Sequence, residues 1–181
     1  DFSFNVDGGR CEECLGDGFK KVEMQFMADI FLECDSCKGK RFKKKILDIK
    51  YNDKNIFEVL NLTIEESLSF FNNNNSVIKK LKPLNDVGLG YLKLGQPSST
   101  LSGGEAQRLK LASCLADENK KSLQKTLFIF DEPTSGLHYS DIANFMKSIQ
   151  KLINIGNSVI IIEHNTDLIK QADWLIDLGP E

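Results

Sequence analysis

The sequence predicts an α/β fold, a mainly parallel sheet with flanking helices, joined to a small four-cysteine module. Three observations predict it. Two apolar runs of strand length, Leu127–Phe130 and Ser158–Ile162, alternate with helical patterns, as in parallel sheets covered on both faces. Between them, Ser140 to Asn154 places Ile142, Phe145, Met146, Ile149, Leu152 and Ile153 on one helical stripe. Near the start, Cys11-x-x-Cys14 and Cys34-x-x-Cys37 stand 19 residues apart.

Composition bounds the rest. The 181 residues are 41% hydrophobic and 27% charged, enough to bury a core in one domain, or in one domain with a small insert. Net charge is −3, so contact with nucleic acid must come from a local patch. No stretch approaches 18 consecutive apolar residues, and no transmembrane helix is expected. The chain opens Asp-Phe-Ser-Phe without a signal segment and reads as a piece cut from something longer.

Residues 1–47 form the expected zinc-binding insert and its flanks. A Cys-x-x-Cys turn lets two thiolates reach one ion, and two such turns supply the four soft ligands of tetrahedral Zn²⁺. The competing readings are a pair of disulfides or four idle thiols. Gly16, Gly18 and Gly39 follow the knuckles, as tight turns need. Phe19 to Leu32 has a loose strand rhythm that suggests a hairpin. Lys38, Lys40, Arg41, Lys43, Lys44 and Lys45 place six positive charges in eight residues. They read either as a phosphate-contacting patch or as a solvated face beside acidic neighbours, since residues 1–35 carry nine acids and three bases.

Residues 48–100 are expected to connect. Asp53-Lys54 suits a hairpin turn, and Thr63 to Glu66 is a capping box opening a helix through Phe71. A second helix is expected from Val77 to Lys82, stopping before Pro83. Gly88, Gly90 and Gly95 punctuate the approach to residues 101–181. There a helix is expected over Glu105–Leu115, with Cys114 as an inert buried thiol. A short helix near Asp167–Gln171 and a strand at Trp174–Leu178 close the chain.

Four features of residues 101–181 carry chemistry. Leu101-Ser-Gly-Gly-Glu-Ala-Gln-Arg108 has capping-box spacing at Ser102 and Glu105. A helix needing only a cap would not place Gly103 and Gly104 in its first turn, where each costs about 1 kcal/mol. Bare N–H groups at a helix start do suit a closely approaching phosphate. Leu127-Phe-Ile-Phe-Asp-Glu132 ends an apolar strand in two acids, at the strand end where α/β sheets place ligands. Asp131 there would hold Mg²⁺, and Glu132 would orient or deprotonate water attacking a γ-phosphate. Pro133 to His138 turns into the long helix. His164 follows the second strand and would lie beside Asp131 if the two strands are neighbours.

Together these motifs resemble the ATP-binding-cassette ATPases: Leu101–Arg108 their signature, Leu127–Glu132 their Walker B strand, Ser135–His138 their D-loop and His164 their switch histidine. Val6 to Gly18, Cys34 to Arg41, Val87 to Gly95 and Ala172 to Glu181 resemble the UvrA family, in the distal part of the C-terminal cassette. The resemblance implies an ATP-hydrolysing damage-recognition subunit of the nucleotide-excision-repair excinuclease. It implies ATP and Mg²⁺ beside a structural Zn²⁺ on Cys11, Cys14, Cys34 and Cys37, with Glu132 and His164 catalytic. Asp131, Ser102, Gly103, Gly104 and Gln107 are then nucleotide contacts, with Ser102 and Gly104 facing a nucleotide held by a different cassette. Lys40, Arg41, Lys43, Lys44 and Lys45 are candidate DNA contacts. The implied partners are damaged double-stranded DNA, a UvrB-type subunit and a second copy of the full-length parent, in the cytoplasm and without a membrane. No Gly-x-x-x-x-Gly-Lys-Ser/Thr run occurs, so the fragment alone is expected to be inactive. The rival readings are a transporter ATPase and a non-catalytic zinc interaction module.

Overall fold

The computed structural model describes residues 2–24, 26, 29–116 and 125–179. Contacts divide the chain into Asp1–Leu62 and Thr63–Glu181, whereas the sequence suggested boundaries near 47 and 100.

In the first unit, strands β1 (Phe19–Val22) and β2 (Ile30–Glu33) pair antiparallel, with Phe19 opposite Glu33 and Val22 opposite Ile30. Helix α1 (Lys44–Leu47) follows, then a hairpin of β3 (Lys50–Tyr51) and β4 (Lys54–Asn55), then helix α2 (Ile56–Leu60). The hairpin turns on Asn52 and Asp53, both at positive φ, the type I′ geometry that matches strand twist. Asn55 caps α2 through a reciprocal box with Glu58.

The second unit opens with α3 (Ile64–Phe70), where Thr63 and Glu66 make the expected capping box. Helix α4 (Asn75–Asp86) is capped by Asn74 and runs through Pro83 instead of stopping before it. The helix continues because Leu81, Leu84 and Val87 all pack into one core, and that burial outweighs the lost backbone donor. Helix α5 (Gly103–Ala116) leads towards β5 (Leu127–Asp131), and helix α6 (Tyr139–Asn154) connects to β6 (Ser158–Ile162). Strands β5 and β6 are parallel neighbours, with Asp131 opposite Ile162. A short α7 (Thr166–Ile169), capped by Asn165, ends the regular structure.

The α6 stripe packs as patterned: Ile142, Phe145, Ile149 and Leu152 are buried, and the Phe145 ring meets Phe130 of β5 edge-on at 6.3 Å between centroids. Val87, Leu89, Leu92, Leu111 and Leu168 complete this core.

Three expectations are corrected. The sheet is not covered on both faces: Leu127, Ile129, Ile160 and Ile162 are exposed, because only one face receives helices among the described residues. Trp174–Leu178 forms no strand: it pairs with none of the described strands, and Trp174, Leu175, Ile176 and Leu178 are exposed. Cys114 is exposed, because α5 turns Arg108, Leu111 and Ala112 inward and leaves Cys114 on another face. No helix among the described residues is long and apolar enough to cross a membrane.

Candidate functional site

In the first unit the two knuckles share one local design. Each Cys-x-x-Cys is followed by a residue at positive φ (Leu15, Lys38) and then a glycine at positive φ (Gly16, Gly39). This curls the chain so that Asp17 N–H donates to Cys14 O and Lys40 N–H to Cys37 O, at 2.9 and 3.0 Å. Gly16 admits no side chain, since a Cβ there would fall 2.2 Å from the Phe4 carbonyl oxygen. Cys11 N–H bonds to Arg41 O and Cys34 N–H to Gly18 O, which docks the knuckles face to face.

The four buried sulfurs lie within 4.8 Å of one another. Cys11 and Cys34 Sγ are 3.9 Å apart, and Cys14 and Cys37 Sγ 3.6 Å. A tetrahedron with Zn–S bonds of about 2.3 Å has edges of about 3.8 Å, so the donor set fits zinc. A disulfide needs about 2.05 Å, and all four cysteines are free. Burial raises the Cys11 thiol pKa, but the N–H groups of Cys14 and Glu13 outweigh it and bring it down to about 7. Burial, with the neighbouring thiols, pushes Cys37 up to about 12. A pocket that favours a first thiolate and resists a further one is a pocket suited to a cation.

The basic run is divided. The Arg41 guanidinium lies 3.9 Å from the Phe4 ring centroid, and its Nε donates to Gly16 O. Lys43 pairs with Glu12. Of the six cations, Arg41 and Lys43 pair with groups of the first knuckle and its flank, and Lys38, Lys40, Lys44 and Lys45 are exposed.

In the second unit, the carboxyl ends of β5 and β6 bring the acidic pair to the histidine. Glu132 N–H continues the ladder to Ile162 O at 2.9 Å. The Glu132 side chain then places Oε1 3.3 Å from His164 Nε2, with both side chains more than half exposed. Glu132 has φ +45°, a left-handed conformation that costs a non-glycine residue about 1 kcal/mol or more.

The signature-like helix grips this turn. Asp131 N–H donates to Gln107 Oε1 at 3.1 Å. Arg108, 1% exposed, donates through one terminal nitrogen to Pro133 O and Ser135 O at 2.6 and 3.2 Å. At the helix start Ser102 and Glu105 form a true capping box, and Tyr91 also donates to Glu105. These bonds, the Tyr91 hydroxyl first, hold the Glu105 carboxyl below its usual range. A Cβ on Gly103 would meet nothing within 4 Å, so this edge is open. A Cβ on Gly104 would meet the Arg108 guanidinium at 3.3 Å. Asp131, Glu132, His164 and Gln107 are thus assembled at one sheet end. Gly104 lies against the Glu132 and Ser135 carbonyls, where a Cβ would stand 3.7 and 3.6 Å from their oxygens, while Ser102 and Gly103 are exposed at the helix start.

Sequence reasoning passed over two residues. Arg108 falls one helical turn before Leu111 and Ala112, and that position on the buried stripe signalled it. Glu163 is partly buried and accepts from Thr134 N at 2.9 Å, from the Thr134 hydroxyl, and from the N–H groups of His164 and Asn165 at 3.0 and 3.2 Å. Burial raises its pKa, but these donors, Thr134 first, hold it below the usual range. Nothing in the local sequence signalled it.

The family model described as ABC transporter matches residues 28–135. The chain is 58% identical over 180 residues to UvrABC system protein A of Clostridium tetani, covering 99% of this chain and 19% of that protein. It is 55% identical to the Thermus thermophilus protein of the same name, again covering 99% and 19%. The crystal structure of UvrA2 from Deinococcus radiodurans matches with TM-score 0.82 and 42% identity, covering 96% of this chain and 21% of that one. The chain therefore spans about a fifth of the length of the relatives it matches. On the signature helix, the acid-ended strand and the two knuckles alike, the chain belongs to the ABC family and, within it, to the UvrA proteins.

Proposed function

We propose that this chain supplies the hydrolytic half of an ATP site, and a zinc module, to a DNA-damage-recognition ATPase of nucleotide-excision repair. The observation that carries the reading is the 3.3 Å approach of Glu132 Oε1 to His164 Nε2 at adjacent parallel strand ends. The UvrA kinship supports the repair role over the transporter role, and the assembled strand ends speak against a zinc module without catalysis.

Glu132 is the general base: its carboxylate takes a proton from the water that attacks the γ-phosphate. His164 Nε2, 3.3 Å from Glu132 Oε1, donates its N–H to the transferring phosphate beside that carboxylate. Asp131, exposed at the end of β5, would hold Mg²⁺, which would supply positive charge against the phosphates. Ser102 and Gly103, with Gly104 behind them, present the open helix N-terminus to a nucleotide on another cassette. Gln107 contacts the nucleotide site from behind Asp131. Cys11, Cys14, Cys34 and Cys37 hold a structural zinc that fixes the two knuckles. Lys40, Lys44 and Lys45 are the exposed DNA contacts, with Arg41 and Lys43 shaping the surface that carries them. The partners are damaged double-stranded DNA, a UvrB-type subunit and a second copy, in the cytoplasm.

The test is a chimaera in which this chain replaces the corresponding segment of the Clostridium tetani relative. Glu132→Gln in that chimaera is expected to leave ATP binding within about twofold and to lower turnover by on the order of 100-fold or more. Turnover equal to the parent chimaera removes Glu132 from the chemistry and the reading with it.

A further inference from the structure

We infer that Glu163 is a positioning residue for the hydrolytic pair, its carboxylate fixing the turn that carries Glu132 to the backbone that carries His164. This rests on the reading of Glu132 and His164 given above.

The two side chains come from different strands, and their 3.3 Å approach is set by two backbone segments. One is the turn from Asp131 to Ser135, which contains the left-handed Glu132. The other is the chain leaving β6 at Ile162. A turn with a strained residue persists only where its surroundings over-determine it. Its other restraints among the described residues are Asp131 N–H on Gln107, Glu132 N–H on Ile162 O, Ser135 N–H on Glu132 O, and Arg108 on the Pro133 and Ser135 carbonyls. Of these, only the Glu132–Ile162 bond reaches β6. Glu163 supplies a second tie between the two segments, and it does so with one side chain.

The division of that carboxylate is specific. Oε1 accepts both the N–H and the hydroxyl of Thr134. Oε2 accepts the N–H groups of His164 and Asn165. All four partners are donors, and an ionised carboxylate is acceptor-only with room for four. A glutamine has the same shape, but its NH₂ must face two donors on one side or the other. The change therefore breaks one half of the bridge without opening a cavity. These bonds occupy both oxygens with backbone groups and one hydroxyl, so Glu163 acts through the backbone rather than on the reacting atoms.

The experiment uses the chimaera introduced above and reads the single-turnover hydrolysis rate and the ATP KM separately. Glu163→Gln is expected to lower the rate about ten- to hundredfold with KM within about twofold, the range for losing an outer positioning contact. Thr134→Val removes the hydroxyl donor and is expected to lower the rate in the same way, while Thr134→Ser retains it. The double variant Glu163→Gln, Thr134→Val is expected to fall short of the product of the two losses, because both break the same bridge. An unchanged rate in Glu163→Gln, or losses that multiply independently, overturns the inference. If Glu163→Gln does not fold, equal rates for Thr134→Val and Thr134→Ser overturn it, and a deficit confined to Thr134→Val upholds it. Glu132→Gln run beside them separates the two claims. If that variant keeps turnover, the site reading has failed. If it is inactive and Glu163→Gln is not slowed, only the positioning role has failed.

Discussion

Removing metal from the four-cysteine cluster is expected to unfold the first unit and leave the second intact. The perturbation is a strong chelator, or Cys34→Ser at the most buried of the four ligands. Besides the cysteines, Phe42 and Ile46 are the buried apolar side chains among the described residues of Asp1–Leu62. Burying two such side chains is worth about 1.5–3 kcal/mol each, so roughly 3–6 kcal/mol together. A structural zinc contributes about 10–16 kcal/mol in comparable small modules. The metal is therefore the larger contribution, and without it two side chains must organise β1, β2 and both knuckles. The second unit keeps its own core of Val87, Leu89, Leu111, Phe145, Ile149 and Leu152. The assay is a ¹⁵N–¹H spectrum of the labelled chain with metal content measured on the same sample. After chelation the amides of residues 2–62 should collapse to unfolded positions while those of Phe145, Ile149 and Leu89 stay put. Native dispersion of the first-unit amides in a metal-free sample would refute the argument.

Two further expectations concern charge. Reversing Lys44 and Lys45 to Glu in the chimaera should weaken DNA binding and lower the slope of log affinity against log salt by about 2, whereas Lys43→Glu should also break the Glu12 contact and cost stability. An unchanged salt slope on fluorescence anisotropy would leave those lysines as a solvated face. The second concerns Glu163, whose folded-state pKa is depressed below its ordinary 4.5 by Thr134 and the following N–H groups, despite burial. A depressed carboxylate contributes stability that is complete above the unfolded value and is lost as pH falls through the folded one. Urea midpoints of the chain should therefore drop below about pH 4.5, and Glu163→Gln should flatten that acid limb. An identical acid limb in the variant would show that the bridge adds no stability.

The sequence by itself determined most of the local elements and the motifs they carry. The α6 stripe, the capping boxes at Thr63 and Ser102, the paired knuckles and the acid-ended strand are local patterns, each set by residues within a turn or two of one another. The family resemblance was legible for the same reason, since it rests on short contiguous motifs. Where local rules conflicted with burial, burial decided: Pro83 lies inside α4 because Leu81, Leu84 and Val87 share one core. Trp174–Leu178 has the composition of a strand, but composition does not supply a partner, and the segment pairs with none of the described strands. Only the tertiary structure placed Glu163 against Thr134, 29 residues away, buried Arg108 under the Pro133 turn, and split the basic run into cations that hold the knuckles and cations that face solvent. Hydrogen bonds between side chains and distant backbone depend on where two strands end relative to each other. That relation is fixed by sheet register and core packing, which no stretch of sequence states alone.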